Sequence, residues 1–223
     1  MEYPINYDSP SELKAFLEER ALGMKKRFGQ NFLVNRGARE KIISMLPLDE
    51  NSTVWEIGPG LGAMTWHLLR TGAGVTVFEI DHGFIRCLRE FYGTQPAFRI
   101  VEGDFLKIFK DYPVEIPDFI MGNLPYVTGS VMIASLLKTE KLPVKMVFTL
   151  QKEVGRRMAA KSGTSDYSGF SILCQAKCNV VLKGDLKPGS FFPRPEVQSA
   201  IVELTPHNRF SPGNQEVFFQ LVS

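Results

Sequence analysis

The chain is poor in the residues that build disulfide scaffolds and metal centres. It has three cysteines, three histidines and two tryptophans among 223 residues. Cys87, Cys174 and Cys178 are too few, and odd in number, for a disulfide framework, and a reduced cytoplasmic compartment is expected. Cys174 and Cys178 sit in a β-type run. No Cys or His pair completes a zinc pattern with them, so no metal site is expected. The N-terminal Met1-Glu2-Tyr3-Pro4 lacks the basic-then-apolar order of a signal peptide. One run without charge, Phe119 to Leu137, has 19 residues, enough to ask about a bilayer span. Gly122, Asn123, Pro125, Gly129 and Ser130 interrupt it, so it reads as strand, loop and helix, and no membrane contact is expected. There is no internal repeat and no low-complexity tract. A dominant charge is missing too: 26 Lys and Arg face 24 Asp and Glu, a net +2.

What is present is apolar substance and an uneven charge. With 44% hydrophobic and 22% charged residues, the chain can bury roughly 70% of its unfolded surface in one cored domain. Between Gln151 and Arg194 there are eight bases and three acids, which leaves the remainder of the chain net negative. Such a segment can meet phosphate, although charge alone fits a solvated face equally well.

Ser9-Pro10-Ser11-Glu12 reads as a helix start, with Leu13, Phe16 and Leu17 on one face. A second helix is expected over Asn35–Leu46. Short Val-, Ile- and Phe-rich runs then alternate with helical stretches. Strands are expected at 53–57, 74–80, 97–101, 118–122 and 145–150, and helices at 63–70, 83–92, 129–137 and 152–160. This alternation implies right-handed βαβ units and a parallel sheet covered on both faces. Two more strand-like runs, Ser171–Leu182 and Val197–Leu204, have no helix between them and suggest an antiparallel edge. The expected fold is α/β and Rossmann-like, with a mostly parallel seven-stranded sheet and an antiparallel edge strand. The last residues, from Gln215, read as the start of an amphipathic helix cut short.

Four strand ends carry chemistry. Val54-Trp55-Glu56-Ile57-Gly58-Pro59-Gly60-Leu61-Gly62 runs from a strand into a glycine-rich turn, where Gly58 and Gly60 admit a ligand close to the backbone and the next helix offers free N–H groups. Glu79 ends the following strand, 21 residues after Gly58, where a carboxylate can accept both hydroxyls of a ribose. Asp104, after the third strand, can accept from an adenine amino group, although a lone Asp there also serves as a helix cap. Asn123-Leu124-Pro125-Tyr126 ends the fourth strand. An aromatic exocyclic amine is a poor nucleophile because its lone pair is delocalised. The Asn123 amide oxygen and the Leu124 carbonyl can hold both of its hydrogens and aim the lone pair. Pro125 stiffens the turn, and Tyr126 can stack on a base.

Together these residues resemble the class I S-adenosylmethionine-dependent methyltransferases that act on amines. Three further stretches narrow the resemblance: Lys26-Arg27-Phe28-Gly29-Gln30-Asn31-Phe32-Leu33, Asp166-Tyr167-Ser168-Gly169-Phe170-Ser171-Ile172, and Phe191-Phe192-Pro193-Arg194-Pro195-Glu196-Val197-Gln198-Ser199-Ala200. They are similar to motifs of the small-subunit ribosomal RNA adenine N6,N6-dimethyltransferases, and the likeness spans Lys25 to His207. It implies S-adenosylmethionine as cofactor, with Asn31 and Leu33 near its methionine end, Gly58 beneath it, Glu79 on the ribose and Asp104 on the adenine. It implies that Asn123 and Leu124 position the target amine, and that Tyr126 and Phe191 sandwich a flipped adenine while Phe192 packs in the core. The implied partner is small-subunit rRNA in an immature small ribosomal subunit, met by a monomer that adds two methyls to each of two adjacent adenines near the 3′ end. Arg156 and Arg157 are expected on RNA phosphates.

Domain boundaries follow the same resemblance: a helical extension over 1–24, the methyltransferase domain over 25–207, and the beginning of a C-terminal helical subdomain over 208–223. The rival readings are a large-subunit rRNA methyltransferase of the macrolide-resistance type, a non-catalytic ribosome-assembly factor and an NAD-dependent dehydrogenase. The last leaves Asn123-Leu124-Pro125-Tyr126 without a role.

Overall fold

A computed structural model describes residues 3–23, 31–112, 115–210 and 213–222. Its centre is a seven-stranded sheet of β2 (Thr53–Ile57), β3 (Gly74–Glu79), β4 (Phe98–Glu102), β5 (Phe119–Asn123), β6 (Lys145–Gln151), β7 (Cys178–Leu186) and β9 (Ser199–Pro206), in the order β4-β3-β2-β5-β6-β9-β7. The first five strands in that order are mutually parallel. β9 runs antiparallel to both β6 and β7. The antiparallel pairing therefore lies at the expected end of the sheet. The reversed strand is one place in from the edge, and β7 forms the edge itself. Glu203 on β9 ties this end together through ion pairs with Lys145 at 3.2 Å and Lys183 at 2.9 Å.

Period-two alternation along the strands feeds two cores. Trp55, Ile57, Phe78, Ile120 and Phe148 point to one face. There they meet α6 (Gly129–Leu137) and α8 (Gly169–Lys177) through Ile133, Leu136, Leu173 and Cys174. Val54, Val75, Val77, Met121 and Val147 point to the other. That face is covered by α2 (Arg36–Ser44), α3 (Ala63–Leu69) and α4 (His82–Tyr92) through Ile42, Leu68 and Leu88. Fourteen apolar residues of the five parallel strands, seven on each face, thus bury on both sides, as a parallel sheet requires.

One expectation is corrected. The run Ser171–Leu182 is not a strand throughout: α8 occupies Gly169–Lys177 and β7 begins only at Cys178. Ser168 and Ser171 form a reciprocal cap that starts the helix. Ile172, Leu173 and Cys174 look β-like as a run, and a short buried helix cannot be told from a strand by such a run. Cys174 therefore lies on the helix, one turn before Cys178.

The N-terminal residues pack onto the domain. Ser9 accepts from the Glu12 N–H and caps α1 (Pro10–Glu19), whose Leu13 and Leu17 join Tyr7, Val34, Leu61, Phe84 and Cys87 in a third cluster. β1 (Phe32–Leu33) and β8 (Phe191–Phe192) form a separate antiparallel pair. No described helix is long and apolar enough to cross a membrane. The chain passes from β2 outward to β3 and β4, then returns to β5 on the other side of β2. Such a reversal opens a crevice at the carboxyl ends of the strands.

Candidate active site

A cleft of about 300 Å³ lies at that reversal. It brings together Asn31, Leu33, Gly58, Gly60, Glu79, Asp104, Asn123 and Pro125, which are far apart in the chain. The Lys26–Gln30 part of the expected N-terminal motif lies outside the described residues.

The glycine turn forms the floor. Gly58 has φ +68°, and a Cβ built on it would meet no atom within 4 Å, so its open side faces the cleft. Gly62 has a different role, because a Cβ there would come within 2.5 Å of the Tyr92 ring. Glu79 is 5% exposed. Its Oε2 accepts from Gly60 N at 3.1 Å, and its Oε1 accepts from the N–H groups of Ile80 and Asp81, both at 2.9 Å. Burial pushes its pKa up to about 7 against the pull of those donors. Asp104 combines its two readings: it caps α5 (Phe105–Ile108) by accepting from Leu106 N at 3.1 Å, and it also lines the cleft.

The fourth strand end completes the far wall. Asn123 donates from Nδ2 to the Asn31 carbonyl at 2.6 Å, which commits the donor side of the amide and leaves Oδ1 as its acceptor. Leu124 turns its side chain into the core, and its N–H is taken by the Thr149 carbonyl. Tyr126 is half-buried, with its hydroxyl 2.6 Å from Ser199 Oγ on β9.

A family model described as ribosomal RNA adenine dimethylase matches residues 21–223. The chain belongs to the ribosomal RNA adenine dimethylase family. Its similarity to "Ribosomal RNA small subunit methyltransferase A" of Treponema denticola is 41% identity, over 98% of this chain and 76% of the relative. To the protein of that name from Borreliella burgdorferi it is 42% identical, over 91% of this chain and 71% of the relative. A dimethyladenosine transferase structure from Plasmodium falciparum superposes with TM-score 0.70 at 31% identity, covering 83% of this chain and 64% of that one. The 23S rRNA methyltransferase ErmE superposes with TM-score 0.72 at 24% identity, over 85% of this chain and 76% of that one, a likeness of fold. S-adenosylmethionine is the cofactor of the family.

The cleft fits that cofactor on an observation of its own. S-adenosylmethionine carries a sulfonium and an ammonium, and the cleft is lined by a buried carboxyl with one oxygen that lacks a hydrogen-bond partner. Glu56 lies one residue before the end of β2 at 1% exposure; its Oε2 accepts from Thr65 Oγ1 at 2.6 Å, and Oε1 has no partner among the described residues. Burial, with Glu79 close by, pushes its pKa up to about 8. Sequence reasoning missed this residue, although an acid two places before Gly58, on a strand entering a glycine turn, was the signal that marked it.

Phe191 corrects a second expectation. It is 2% exposed and packs in the core, whereas Phe192 is the half-buried ring of the pair. The cause is β8, which pairs with β1 in the register Leu33↔Phe191 and Phe32↔Phe192. Alternation then sends the two neighbouring rings to opposite sides. In this arrangement Phe191 is not open to stack on a base. Arg156 and Arg157 are both exposed on α7 (Lys152–Met158).

Proposed function

We propose that this chain transfers methyl groups from S-adenosylmethionine to the N6 amines of two adjacent adenines near the 3′ end of small-subunit rRNA. It acts as a monomer, in the cytoplasm, on an immature small subunit. The observation that carries this reading is the Asn123 amide, held by its donor side in the wall of a cleft floored by Gly58 and Gly60.

Bound in the cleft, S-adenosylmethionine supplies an electrophilic methyl group on a positively charged sulfur. The protein supplies position. Gly58 leaves room for the cofactor, Glu79 and Asp104 accept from its nucleoside, and Asn31 and Leu33 border its amino-acid end. Asn123 Oδ1 and the Leu124 carbonyl accept the two hydrogens of the target amine. That concentrates the lone pair on nitrogen and aligns it for attack. These acceptors strengthen as nitrogen gains positive charge, a gain made only on the way to the transition state. No strong base is needed, because the alkylated nitrogen becomes acidic. Tyr126 stacks on the extruded base, a contact worth about 1–3 kcal/mol, comparable to the cost of extrusion. Pro125 holds the turn rigid. Exposed Arg156 and Arg157 meet backbone phosphates of the RNA.

The test is incubation with radiolabelled S-adenosylmethionine and immature small subunits, followed by mapping of labelled adenines in both ribosomal RNAs. Asn123→Ala is expected to bind cofactor within about threefold of wild type and to lose transfer by two orders of magnitude or more. Label confined to large-subunit rRNA, or undiminished transfer by the variant, would overturn the reading.

A further inference from the structure

The residues ahead of α1 touch the cleft from behind, at two separate points. The family model begins at residue 21, after these residues.

The first point is the glycine turn. Tyr7 is 3% exposed, and its hydroxyl donates to the Leu61 carbonyl at 2.8 Å. The same oxygen lies 2.9 Å from Tyr92 Oη, and Tyr92 donates to the Gly62 carbonyl at 2.9 Å. Two phenols thus hold two consecutive carbonyls of the turn that opens at Gly58. The Gly62 carbonyl also accepts from the Trp66 N–H at 3.0 Å, whereas Tyr7 is the side chain that holds the Leu61 carbonyl.

The second point is β1. Arg39 is fully buried on α2, and its Nη1 donates to the Leu33 carbonyl at 2.8 Å. Its Nη2 is paired with Asp8, which also accepts from Arg36 Nε at 2.7 Å. Two residues before Leu33 is Asn31, whose carbonyl receives the Asn123 amide. Two sets of hydrogen bonds, joined by the backbone from Leu33 to Asn31, therefore connect Asp8 to the acceptor proposed for the target amine. Between the extension and α3, Tyr3 stacks on Trp66 with ring centroids 3.8 Å apart and bonds His67 through its hydroxyl at 3.0 Å.

We propose that Tyr3–Asp8 is a positioning strap: Tyr7 sets the glycine turn that receives the cofactor, and Asp8, acting through Arg39 and Leu33, sets Asn31 and the Asn123 amide. Tyr7 and Asp8 are positioning residues, and the Asp8 half rests on the role of Asn123 proposed above. A strap that only added stability would lower the melting temperature and leave both the cleft and the catalytic amide unchanged.

Five proteins decide it: wild type, Tyr7→Phe, Asp8→Asn, Asp8→Glu and Lys14→Ala. Lys14 lies on α1 in an exposed pair with Glu18, and its variant is expected to match wild type throughout. All are compared at a temperature where circular dichroism shows each fully folded. Tyr7→Phe keeps the ring and loses one hydroxyl. By calorimetry its dissociation constant for S-adenosylmethionine should rise about tenfold, and amide hydrogen exchange across 58–66 should accelerate in the cofactor-free protein. Its kcat at saturating cofactor should stay within about twofold. Asp8→Asn should lower kcat about tenfold, exceeding its change in cofactor affinity, and should shift the side-chain ¹⁵NH₂ resonance of Asn123. Asp8→Glu should restore both. Lower melting temperatures with unchanged affinity, exchange, kcat and Asn123 resonance would overturn the strap. If wild type binds cofactor and methylates no adenine, the role of Asn123 falls, and the Tyr7 half is still decided by affinity and exchange.

Discussion

Replacing Glu56 with glutamine removes an ionisable carboxyl from the buried lining of the cleft. In the folded, cofactor-free protein burial raises its pKa to about 8, so at pH 7 about nine in ten molecules hold it protonated. A cation brought to its unpartnered Oε1 favours the carboxylate and drives that proton off. Binding of S-adenosylmethionine at pH 7 should therefore release close to one proton from Glu56. Glu79, with a pKa of about 7, should add roughly half of one as ribose hydroxyls come to it. Affinity should strengthen as pH rises toward 8, with Glu56 alone contributing up to about tenfold per unit. The cofactor-free fold responds in the opposite sense. A carboxyl whose folded pKa lies above its unfolded value of about 4.5 holds more protons folded than unfolded between those limits. Stability therefore falls as pH rises through that window, by about 1 kcal/mol per unit from Glu56 alone, or a few degrees in melting temperature for a chain of this size. Glu56→Gln should flatten that decline, cut proton release by nearly one, and weaken cofactor binding at pH 8 more than at pH 6. Calorimetry in buffers of different ionisation enthalpy counts the protons, and thermal melts give the stability slope. Equal proton counts and equal slopes in the two proteins would refute the electrostatic account of the cleft.

Further outcomes follow from the geometry. Gly58→Ala puts a Cβ into open cleft space at a φ that strains an L-residue by about 1–2 kcal/mol; cofactor affinity should fall at least tenfold while the protein still folds, as calorimetry and circular dichroism will report. Phe191→Ala should cost about 3–5 kcal/mol in urea unfolding, the cost of truncating a buried aromatic ring, and Phe192→Ala clearly less. Normal stability with lost transfer in Phe191→Ala would return that ring to the base-stacking role. Charge reversal at Arg156 and Arg157 together should reduce the slope of log affinity for RNA against log salt by about 1 to 2, and an unchanged slope would remove them from the interface.

The sheet was legible because its strands are short, apolar and buried on both faces. Runs such as Val75–Phe78 and Met146–Leu150 leave little room for another reading, and the glycines after β2 mark where its helix begins. Gly58, Gly60, Glu79, Asp104 and Asn123 stood out because each sits at the carboxyl end of a strand, and parallel strands bring such ends together. What stayed hidden depended on partners distant in the chain. α8 looked like a strand because its buried face is apolar and its cap consists of two modest serines. Phe191 lies deeper than Phe192, against expectation, because β8 takes its register from β1, far earlier in the chain, and no local pattern encodes that pairing. Tyr7 and Asp8 carried no motif, and their weight comes only from the carbonyls and guanidinium they reach.

The stacking of Tyr3 on Trp66 has an optical consequence. Only two tryptophans occur in the chain. Trp55 is enclosed by Phe78 and Tyr112 beneath the sheet, while Trp66 lies against Tyr3, His67 and the Arg70 guanidinium. The protein thus contains two tryptophan fluorophores in separate territories, one reporting on the interior and one on its N-terminal edge. A Trp55→Phe background leaves a single emitter whose quenching tracks whether the first residues are seated, without any added label.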